Sequence, residues 1–396
     1  MFRQALYVGF LLFVLAAGSR FVASTYGAGG REEPPALTLE TVPRELRGRV
    51  SIVDGIPVAR LSGTHREIGR QYGAIFREQI RYLYREYFEP LPVAVLGRDE
   101  LKAWAAKVEP FLTDAHREEL RGLAETTDLS YDELLQVNTC VDRFQAAMCS
   151  TIAVSGEATK DGQPIFGRNL DFPGRAVLHR TTVVVVFAPT GETPVAAVTW
   201  PGLLGVLSGM NAEGVAGATM MIHRGRSPLK PGMPYLLMYR DALHRAKRAA
   251  DVFDAILATP RTCPNNFMAV DAKGAAEVTE FDTERAVRRA SDGGCLCSTN
   301  FFQSREMEGV GIRVGEGRHA TLAAFARDRR GAIDVDAVRG ALADVATPWF
   351  LNVQSMIFLP GRRALHLSVG GALPAAKQRF VLLGSDVLFG ASGAGG

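Results

Sequence analysis

The pattern of apolar residues changes at Cys149, and this change constrains the fold more than any other feature of the sequence. From Leu61 to about residue 137 the apolar residues recur mostly at helical spacing, and Thr64 with Glu67 fits the capping box that opens a helix. From Cys149 onward the chain turns into short apolar and β-branched runs such as TTVVVVFAP, bounded by glycine, proline or asparagine. We therefore expect a helical segment followed by a body rich in β-strands.

The second part of the chain alternates groups of strands with helices. Helical spacing returns at residues 235–257, 319–327 and 335–345, and strand-like runs lie between and after these stretches. Such alternation favours the α+β class, with layers of helices on antiparallel sheets. We accordingly divide the folded chain into a helical N-terminal segment, residues 37–148, and a sheet-containing body, residues 149–396.

The first residues have the features of an export signal. Residues 1–24 combine a short positive start with an uninterrupted apolar run at residues 5–18 and small residues at positions 22–24 that suit cleavage. An uncleaved N-terminal anchor is the alternative, because residues 20–21 interrupt the small-residue pattern. In either case we expect an exported protein that is periplasmic, secreted or membrane-anchored, with a Gly/Pro-rich linker at residues 25–36.

The charge of the chain is nearly balanced. Forty-five lysines and arginines face 42 aspartates and glutamates, which leaves a formal charge of +3, and no long basic run occurs. This pattern gives no electrostatic basis for binding nucleic acid. A membrane is expected as a partner only if the N-terminal segment stays uncleaved.

The cysteines and histidines do not form a metal motif. Cys295 and Cys297 are two residues apart, but no second pair of ligands lies nearby, and the seven histidines lack an HExxH pattern, so we predict no metal site. In an exported protein, two of Cys140, Cys263, Cys295 and Cys297 are candidates for a disulfide. Pairing all four would leave Cys149 as the free thiol.

Two motifs on neighbouring predicted strands carry the chemistry. The first, MCSTI, contains Cys149 at the start of the β-rich part, and the second, GRNLDF, contains Arg168 and Asp171. A hairpin that joins these strands would place a cation beside the thiol and a carboxylate near the backbone nitrogen of the cysteine. Because a nearby cation lowers the pKa of a thiol, we expect Cys149 to be a reactive nucleophile.

These motifs resemble those of cysteine N-terminal-nucleophile (Ntn) hydrolases. The resemblance is specifically to the acyl-coenzyme A:6-aminopenicillanate acyltransferase-like, peptidase C45-type family, with choloylglycine hydrolases and acid-ceramidase-like amidases as more distant relatives. It covers most of the chain after the signal. The motifs that carry it occur in the family's order and are GTHREIGRQYG, CSTIAVSG with FGRNLDF, SGMNAEGVAG, NNFMAVDAKG, STNFF and NVQSMIFLPGRR.

The resemblance implies a four-layer αββα sandwich, the Ntn-hydrolase fold, made as an inactive precursor. In such a precursor the peptide bond between Met148 and Cys149 is cut autocatalytically, and the two fragments stay associated. The cut is needed because an amide nitrogen has no basicity, whereas a free α-amine titrates at about pH 8 and can accept the proton of the thiol. Nucleophile and base then belong to one residue.

The resemblance also implies roles for individual residues. Arg168 would steady the thiolate and orient the substrate carbonyl, and Asp171 would hydrogen-bond the new α-amine. Asn300, in STNFF, would donate to the oxyanion of the tetrahedral intermediate. Asn211 and Arg318 would support substrate binding.

Taken together, these features indicate an enzyme acting on carbon–nitrogen bonds of linear amides. The implied function is that of an exported, self-processing cysteine amidohydrolase or acyltransferase that acts on a small N-acyl substrate through a thioester on Cys149, without a cofactor. Two alternatives stay open: a papain-like Cys–His hydrolase, for which no histidine lies in a suitable motif, and a catalytically inactive Ntn-fold binding or scaffold protein.

Overall fold

The computed structural model describes residues 32–144 and 146–390. The predicted export signal at residues 1–24 and most of the linker at residues 25–36 therefore lie outside the described residues. Within the described ranges, no helix is both long and apolar enough to span a lipid bilayer.

Helices dominate the N-terminal segment. They are α1 (His65–Leu83), α2 (Arg98–Val108), α3 (Asp114–Thr126) and α4 (Tyr131–Thr139), with a π-helical stretch at Tyr84–Val93 and a single α-turn at Ala94–Leu96 between α1 and α2. The predicted capping box of α1 is present, since the Thr64 side chain accepts from the backbone of Glu67 and the Glu67 side chain accepts from the backbone of Thr64. Helices α1 and α3 pack backbone to backbone at Gly69, where an added Cβ would lie 2.1 Å from the carbonyl oxygen of Glu119.

The N-terminal segment also contains a β-hairpin that the sequence analysis did not identify. Strands β1 (Val50–Val53) and β2 (Ile56–Gly63) pair antiparallel, and β2 then runs parallel to β5 (Val183–Pro189) of the second part of the chain. The segment predicted as helical at residues 37–148 thus supplies one edge of a sheet that is completed by residues more than a hundred positions later.

Two sheets form the centre of the molecule. The nine-stranded sheet has the order β1-β2-β5-β6-β7-β8-β9-β10-β11, and the six-stranded sheet has the order β12-β3-β4-β13-β14-β15. The remaining strands of the first sheet are β6 (Val195–Thr199), β7 (Ser208–Asn211), β8 (Ala216–Met221), β9 (Asn265–Val270), β10 (Ala276–Phe281) and β11 (Ala286–Ala290). Those of the second are β3 (Met148–Gly156), β4 (Gly162–Asp171), β12 (Cys295–Ser298), β13 (Asn352–Leu359), β14 (Ala364–Val369) and β15 (Val381–Leu383).

Helices cover the outer face of each sheet. The later helices are α5 (Tyr235–Arg245), α6 (Ala249–Leu257), α7 (Glu316–Asp328), α8 (Val335–Asp344) and α9 (Ser385–Phe389). On the nine-stranded sheet, the Tyr239 ring of α5 stacks on Phe267 of β9 with centroids 4.0 Å apart. On the six-stranded sheet, Asn169 of β4 donates to the carbonyl of Leu342 in α8 at 2.8 Å.

The inner faces of the two sheets pack against each other. The Thr151 hydroxyl of β3 lies 3.4 Å from the sulfur of Met220 in β8. Together with the two helical layers, this contact confirms the predicted α+β class and the αββα sandwich.

All five cysteines are free thiols, so none of the four candidates forms a disulfide. The physical reason is their separation in the core. Cys140 packs with Phe88 and Leu101, whereas Cys263 and Cys297 belong to two other apolar clusters.

Candidate active site

Cys149 is the second residue of β3 and lies in the middle of the sandwich. The β3–β4 hairpin sets its position, because Cys149 pairs with Leu170 and Thr151 pairs with Arg168. Residues that oppose each other across an antiparallel pair share a face, so Cys149 and Arg168 both point toward the nine-stranded sheet. The Cys149 side chain is completely buried. The hairpin predicted from the motifs is thus present.

Arg168 is the cation nearest to the thiol. Its Nη2 atom lies 3.5 Å from the Cys149 sulfur, its Nη1 atom donates to the carbonyl of Thr219 in β8, and the whole side chain is buried. Burial raises the pKa of the Cys149 thiol, and the charge of Arg168 opposes this shift without cancelling it. The expectation of a lowered thiol pKa is therefore wrong, since the desolvation of a fully buried sulfur outweighs the cation. A base has to remove the proton.

Asn300 reaches the backbone nitrogen of Cys149. Strand β12 pairs with β3 so that Ser298 opposes Thr151, and the chain just beyond β12 returns to the nucleophile. The Cys149 N–H donates to Asn300 Oδ1 at 2.6 Å, and Asn300 Nδ2 donates to the carbonyl of Met221 at 2.7 Å. A donor on one side and an acceptor on the other fix the orientation of the amide. The Nδ2 atom carries two hydrogens, so its bond to Met221 leaves one N–H for the predicted oxyanion role.

Asp171 lies beneath the nucleophile at the end of β4. Its Oδ1 atom accepts from Asn352 Nδ2 at 2.7 Å, and its Oδ2 atom lies 3.5 Å from Arg318 Nη1. Burial raises the pKa of the Asp171 carboxyl, while the Arg318 charge and the Asn352 hydrogen bond oppose the shift. A backbone hydrogen bond of Asp171 also acts on the Cys149 thiol. In the uncut chain the amide N–H of Cys149 donates to Asn300, and the predicted role of Asp171 toward the α-amine stays a prediction.

Arg318 contacts most of the residues around the nucleophile. It lies in the first turn of α7 with a side chain only 16% exposed. Its Nη1 atom donates to the Cys149 carbonyl at 2.8 Å and to the Ser150 hydroxyl at 2.7 Å, and its Nη2 atom donates to Asn300 Oδ1 at 3.0 Å. The sequence analysis assigned Arg318 to substrate binding. The structure places it on the backbone of the nucleophile itself.

Asn211 does not join this group. Its Nδ2 atom donates to the carbonyls of Leu243 and Ala246 at 2.8 and 2.7 Å, and its Oδ1 atom accepts from the backbone nitrogens of Glu213 and Val215. These bonds tie the turn between β7 and β8 to the end of α5. These four partners are all backbone atoms of that region, so the structure gives Asn211 a role in holding the fold.

Asn352 and Ser150 are site residues that the sequence analysis missed. Asn352 opens the motif NVQSMIFLPGRR, but only the pairing of β13 with β4, which sets Asn352 opposite Asp171, connects the two side chains. Ser150 follows the nucleophile directly, and its role depends on Arg318. No spacing rule in the sequence relates these positions.

An apolar pocket lies close to the end of β4. Phe172, the residue after Asp171, forms one wall, and Phe144 of the N-terminal segment faces it with ring centroids 5.9 Å apart. Both parts of the chain contribute to the lining, which consists of Ile80, Leu83, Tyr84, Tyr87, Phe88, Pro92, Leu129, Leu134, Val137, Cys140, Val141, Phe144, Phe172, Leu178, Trp200, Pro201, Gly202, Leu203 and Leu207. Such a lining suits a hydrocarbon group.

The described residues contain no evident cluster of metal ligands. Across residues 32–144 and 146–390 there is no group of three or more histidine, cysteine, aspartate or glutamate side chains that could hold one. The groups that the arrangement around Cys149 offers are the thiol, the two guanidinium groups, the carboxyl of Asp171 and the amide of Asn300.

Comparison with protein families gives a match to the second part of the chain. A sequence model of the family described as acyl-coenzyme A:6-aminopenicillanic acid acyl-transferase matches residues 158–346. The match begins after Cys149 and includes Arg168, Asp171, Asn300 and Arg318.

Curated relatives are similar over parts of their length. An uncharacterized protein of Archaeoglobus fulgidus is 23% identical over 268 residues, which make up 60% of this chain and 45% of that protein. The N-acylethanolamine-hydrolyzing acid amidase of Rattus norvegicus is 31% identical over 105 residues, 26% of this chain and 28% of that protein. The chain thus spans less than half the length of these relatives.

Solved structures of two amide hydrolases are also similar. The N-acylethanolamine-hydrolyzing acid amidase ortholog of Caenorhabditis elegans aligns with a TM-score of 0.44 and 21% identity, over 54% of this chain and 93% of that one. The conjugated bile acid hydrolase of Clostridium perfringens aligns with a TM-score of 0.43 and 13% identity, over 60% and 93% of the two chains.

The family match covers four of the predicted site residues around Cys149. It confirms the predicted resemblance to the acyl-coenzyme A:6-aminopenicillanic acid acyl-transferase family over residues 158–346, which is somewhat less than half of the chain.

Proposed function

We propose that this protein is an exported, self-processing cysteine amidohydrolase or acyltransferase for an N-acyl substrate with an apolar acyl group. The single observation that carries the proposal is the placement of Asn300 and Arg168 on the two reactive atoms of Cys149. The nitrogen of Cys149 is held at 2.6 Å and its sulfur lies 3.5 Å from a buried guanidinium. The pattern of residues 1–24 supports export.

The cut between Met148 and Cys149 would convert this nitrogen into the missing base. The raised pKa of the thiol keeps the sulfur protonated, so turnover needs a proton acceptor. A free α-amine on Cys149 would accept that proton with a pKa of about 8, while Asn300 Oδ1 holds the amine in place. The thiolate then attacks the substrate carbonyl, and Arg168 stabilises the negative charge beside it.

The acyl group would pass from the substrate amide to Cys149 and then to an acceptor. The attack forms a tetrahedral intermediate, the amine of the substrate leaves with a proton, and the thioester remains. Water or a second amine then takes the acyl group and returns the thiol. The groups acting on the pKa of the thiol are Arg168, Asp171 and Arg318, which does not favour the Cys–His alternative.

The apolar cavity supports an acyl chain as the non-reacting part of the substrate. It lies against Phe172, next to Asp171, and its lining is almost entirely hydrocarbon and aromatic. The amidase of Rattus norvegicus named above hydrolyses N-acylethanolamines, which carry an acyl group on nitrogen. We propose that this protein acts on the same kind of N-acyl bond, and the proposal leaves the amine part of the substrate open.

The two fragments would stay together after the cut. Strands β1 and β2 of the first fragment belong to the nine-stranded sheet, where β2 pairs with β5 of the second fragment. Glu119 of the first fragment and Arg240 of the second form a buried ion pair of 2.6 Å.

The test is a substrate series with trapping of the thioester. N-acyl amino acids, N-acyl lipids and acylated β-lactams of increasing acyl length are incubated with the protein, and the mass of the fragment that begins at Cys149 is followed. We expect one acyl mass added to that fragment and removed on longer incubation. Val137→Trp, which fills the cavity, should lose long acyl chains and keep short ones, and Val95→Trp, at an exposed position, should change neither. Absence of acylation for every class would contradict the proposal.

A further inference from the structure

Asn266 of β9 has a fully buried side chain that contacts the segment just beyond β12. Its Nδ2 atom donates to the carbonyl of Thr299 at 3.1 Å and to the carbonyl of Phe301 at 3.0 Å. The Ser298 hydroxyl oxygen is a third and longer contact of the same nitrogen, at 3.4 Å. An amide NH₂ carries two hydrogens, so the two carbonyls account for both of them. One side chain thus bonds to the residue before Asn300 and to the residue after it.

The backbone of Asn300 lies outside the pairing of β12 with β3. That pairing ends at Ser298, and Asn300 forms an isolated antiparallel bridge with Val314 instead. The Val314 N–H donates to the Asn300 carbonyl at 3.3 Å, while Asn266 binds the carbonyls on either side of it. Three successive carbonyls are therefore bonded, and the peptide planes on both sides of Asn300 are fixed.

The position of the Asn300 side chain depends on this backbone. Its Oδ1 atom accepts from the N–H of Cys149 at 2.6 Å and from Arg318 Nη2 at 3.0 Å, and its Nδ2 atom donates to the Met221 carbonyl at 2.7 Å. In the proposed reaction the same amide holds the α-amine and donates to the oxyanion. A displacement of about 1 Å in such a group can lower a rate by about 10²-fold. The rate therefore depends on how firmly residues 299–301 are held.

The oxygen of Asn266 shows which half of its amide is needed. Asn266 Oδ1 is buried and has no hydrogen-bond partner among the residues that the structure describes. A buried acceptor without a partner costs free energy, and an apolar side chain of the same size would avoid that cost. The amide at this position is therefore explained by its NH₂ group, which bonds to Thr299 and Phe301.

The preceding residue, Asn265, offers a matched comparison. It is also a fully buried asparagine of β9, but successive side chains of a strand point to opposite faces of the sheet. Its Oδ1 atom accepts from the Thr219 hydroxyl at 3.0 Å. Phe267, which shares the face of Asn265, stacks on a ring of α5. Asn265 thus belongs to the face covered by helices, whereas Asn266 faces the segment that carries Asn300.

We infer that Asn266 is a positioning residue for Asn300, because it holds residues 299–301 from the inner face of the nine-stranded sheet. This inference rests on the proposed function. Asn266 acts through Asn300, so its removal should affect the reaction only as long as Asn300 is present. That dependence separates positioning from a general contribution to the fold.

The experiment is a double-substitution cycle on the full chain, measured after self-cleavage. Asn266→Leu keeps the size of the side chain and removes its NH₂ group. We expect kcat to fall about 10- to 100-fold and KM to stay within about twofold, because the Asn300 amide is misplaced toward the oxyanion. Added to Asn300→Ala, the same substitution should lower kcat by less than about twofold more, since the effects of coupled residues do not add.

Asn265→Leu is the control, and its kcat and KM should stay within about twofold of the natural values. The rate of self-cleavage gives a second readout, because Asn300 also holds the nitrogen of the bond to be cut. An Asn266→Leu precursor should cut more slowly than an Asn265→Leu precursor. If Asn266→Leu does not fold, Asn266→Ser replaces it; its hydroxyl can donate to one carbonyl, so kcat should fall by a factor of about 3 to 10.

Three results would overturn the inference and leave the proposed function intact. They are a natural kcat for the Asn266 variant, an equal loss for Asn265→Leu, and a full further loss when the Asn266 substitution is added to Asn300→Ala. A natural chain that neither cuts nor turns over an N-acyl substrate would overturn the proposed function, and the inference with it.

Discussion

The molecule contains two clusters of charged and polar side chains, and they differ in how closely their opposite charges approach each other. The first, here called the interhelical network, contains His65, Glu119, Glu192, Arg240 and the pair His116–Asp241. Its opposite charges lie 2.6 to 3.1 Å apart. The second is the group around Cys149, where the closest cation to the thiol is 3.5 Å away.

Both clusters contain buried atoms without a hydrogen-bond partner among the described residues, such as Arg240 Nε in the first and Arg168 Nε in the second. The ion pair of the second cluster, between Asp171 Oδ2 and Arg318 Nη1, is longer than those of the first, at 3.5 Å. A buried ion pair in good geometry offsets part of the cost of its own desolvation, and titratable groups with perturbed pKa values cluster at functional sites. We therefore assign the interhelical network to assembly and the Cys149 group to chemistry.

The largest expected effect on stability comes from the interhelical network. Glu119→Ala leaves the buried Arg240 without its carboxylate, so the free energy of unfolding should fall by about 3–5 kcal/mol. Burial alone would raise the pKa of Glu119, but Arg240 and His65 outweigh it and keep the carboxylate charged. Denaturant titration of the variant measures the loss. The kcat of the molecules that remain folded should stay within about twofold, and a large fall in that kcat would break the division between the two clusters.

The converse test removes Asn300 from the Cys149 group. In protein already shown to be cut, Asn300→Ala should lower kcat by about 10² to 10³ and leave KM nearly unchanged, because the NH₂ of the amide is expected to donate to the oxyanion while its oxygen holds the α-amine. Steady-state kinetics over a pH series measures this. If KM rises and kcat is spared, Asn300 binds the ground-state substrate and the oxyanion role is wrong.

Asp171→Asn should act on the pH profile more than on the maximal rate. Burial raises the pKa of Asp171, and its charge raises the pKa of the Cys149 thiol. A neutral amide removes that charge, so the thiol pKa should fall and the acidic limb of kcat/KM should move to lower pH. The measurement is again made on cut protein. An unchanged profile would mean that Asp171 does not influence the nucleophile.

The contacts that the sequence could predict are the local ones. The capping box of α1 and the hairpin that joins Cys149 to Arg168 depend on residues close together in the chain, and both are present. Turn glycines assist the hairpin, since Gly156 and Gly162 have φ values of 56° and 75°.

The contacts that the sequence could not predict join residues that are far apart along the chain. Asn352 reaches Asp171 through the pairing of β13 with β4, and β2 reaches β5 as a parallel neighbour. The direction of the pKa shift of the Cys149 thiol could not be predicted from the sequence either. The motif shows that a cation is near, but it does not show that the sulfur is completely buried. Asn211 matched a motif and proved to hold a turn against a helix.

The smallest expected effect is a pH dependence within the interhelical network. A hydrogen bond to Glu119 raises the pKa of His65 above 6.5, burial opposes the shift, and the charges of Glu119 and Glu192 support it. A raised folded-state pKa gives stability that is fully present below the unfolded pKa and is lost as the pH rises through the folded pKa. The difference in free energy of unfolding between the natural chain and His65→Gln should therefore be larger at pH 5 than at pH 9. An equal difference at both pH values would contradict a charged His65.

The cut before Cys149 is the central step of the proposed function, because it turns an amide nitrogen into the base of the reaction. Its most direct test is the intact mass of the purified protein together with Edman sequencing of the larger fragment, run beside Cys149→Ala. We expect two fragments that co-purify, a larger one whose sequence starts Cys149-Ser150-Thr151, and an uncut Cys149→Ala chain that is folded and inactive. A natural protein that is active while uncut, or a larger fragment that starts at another residue, would contradict the account.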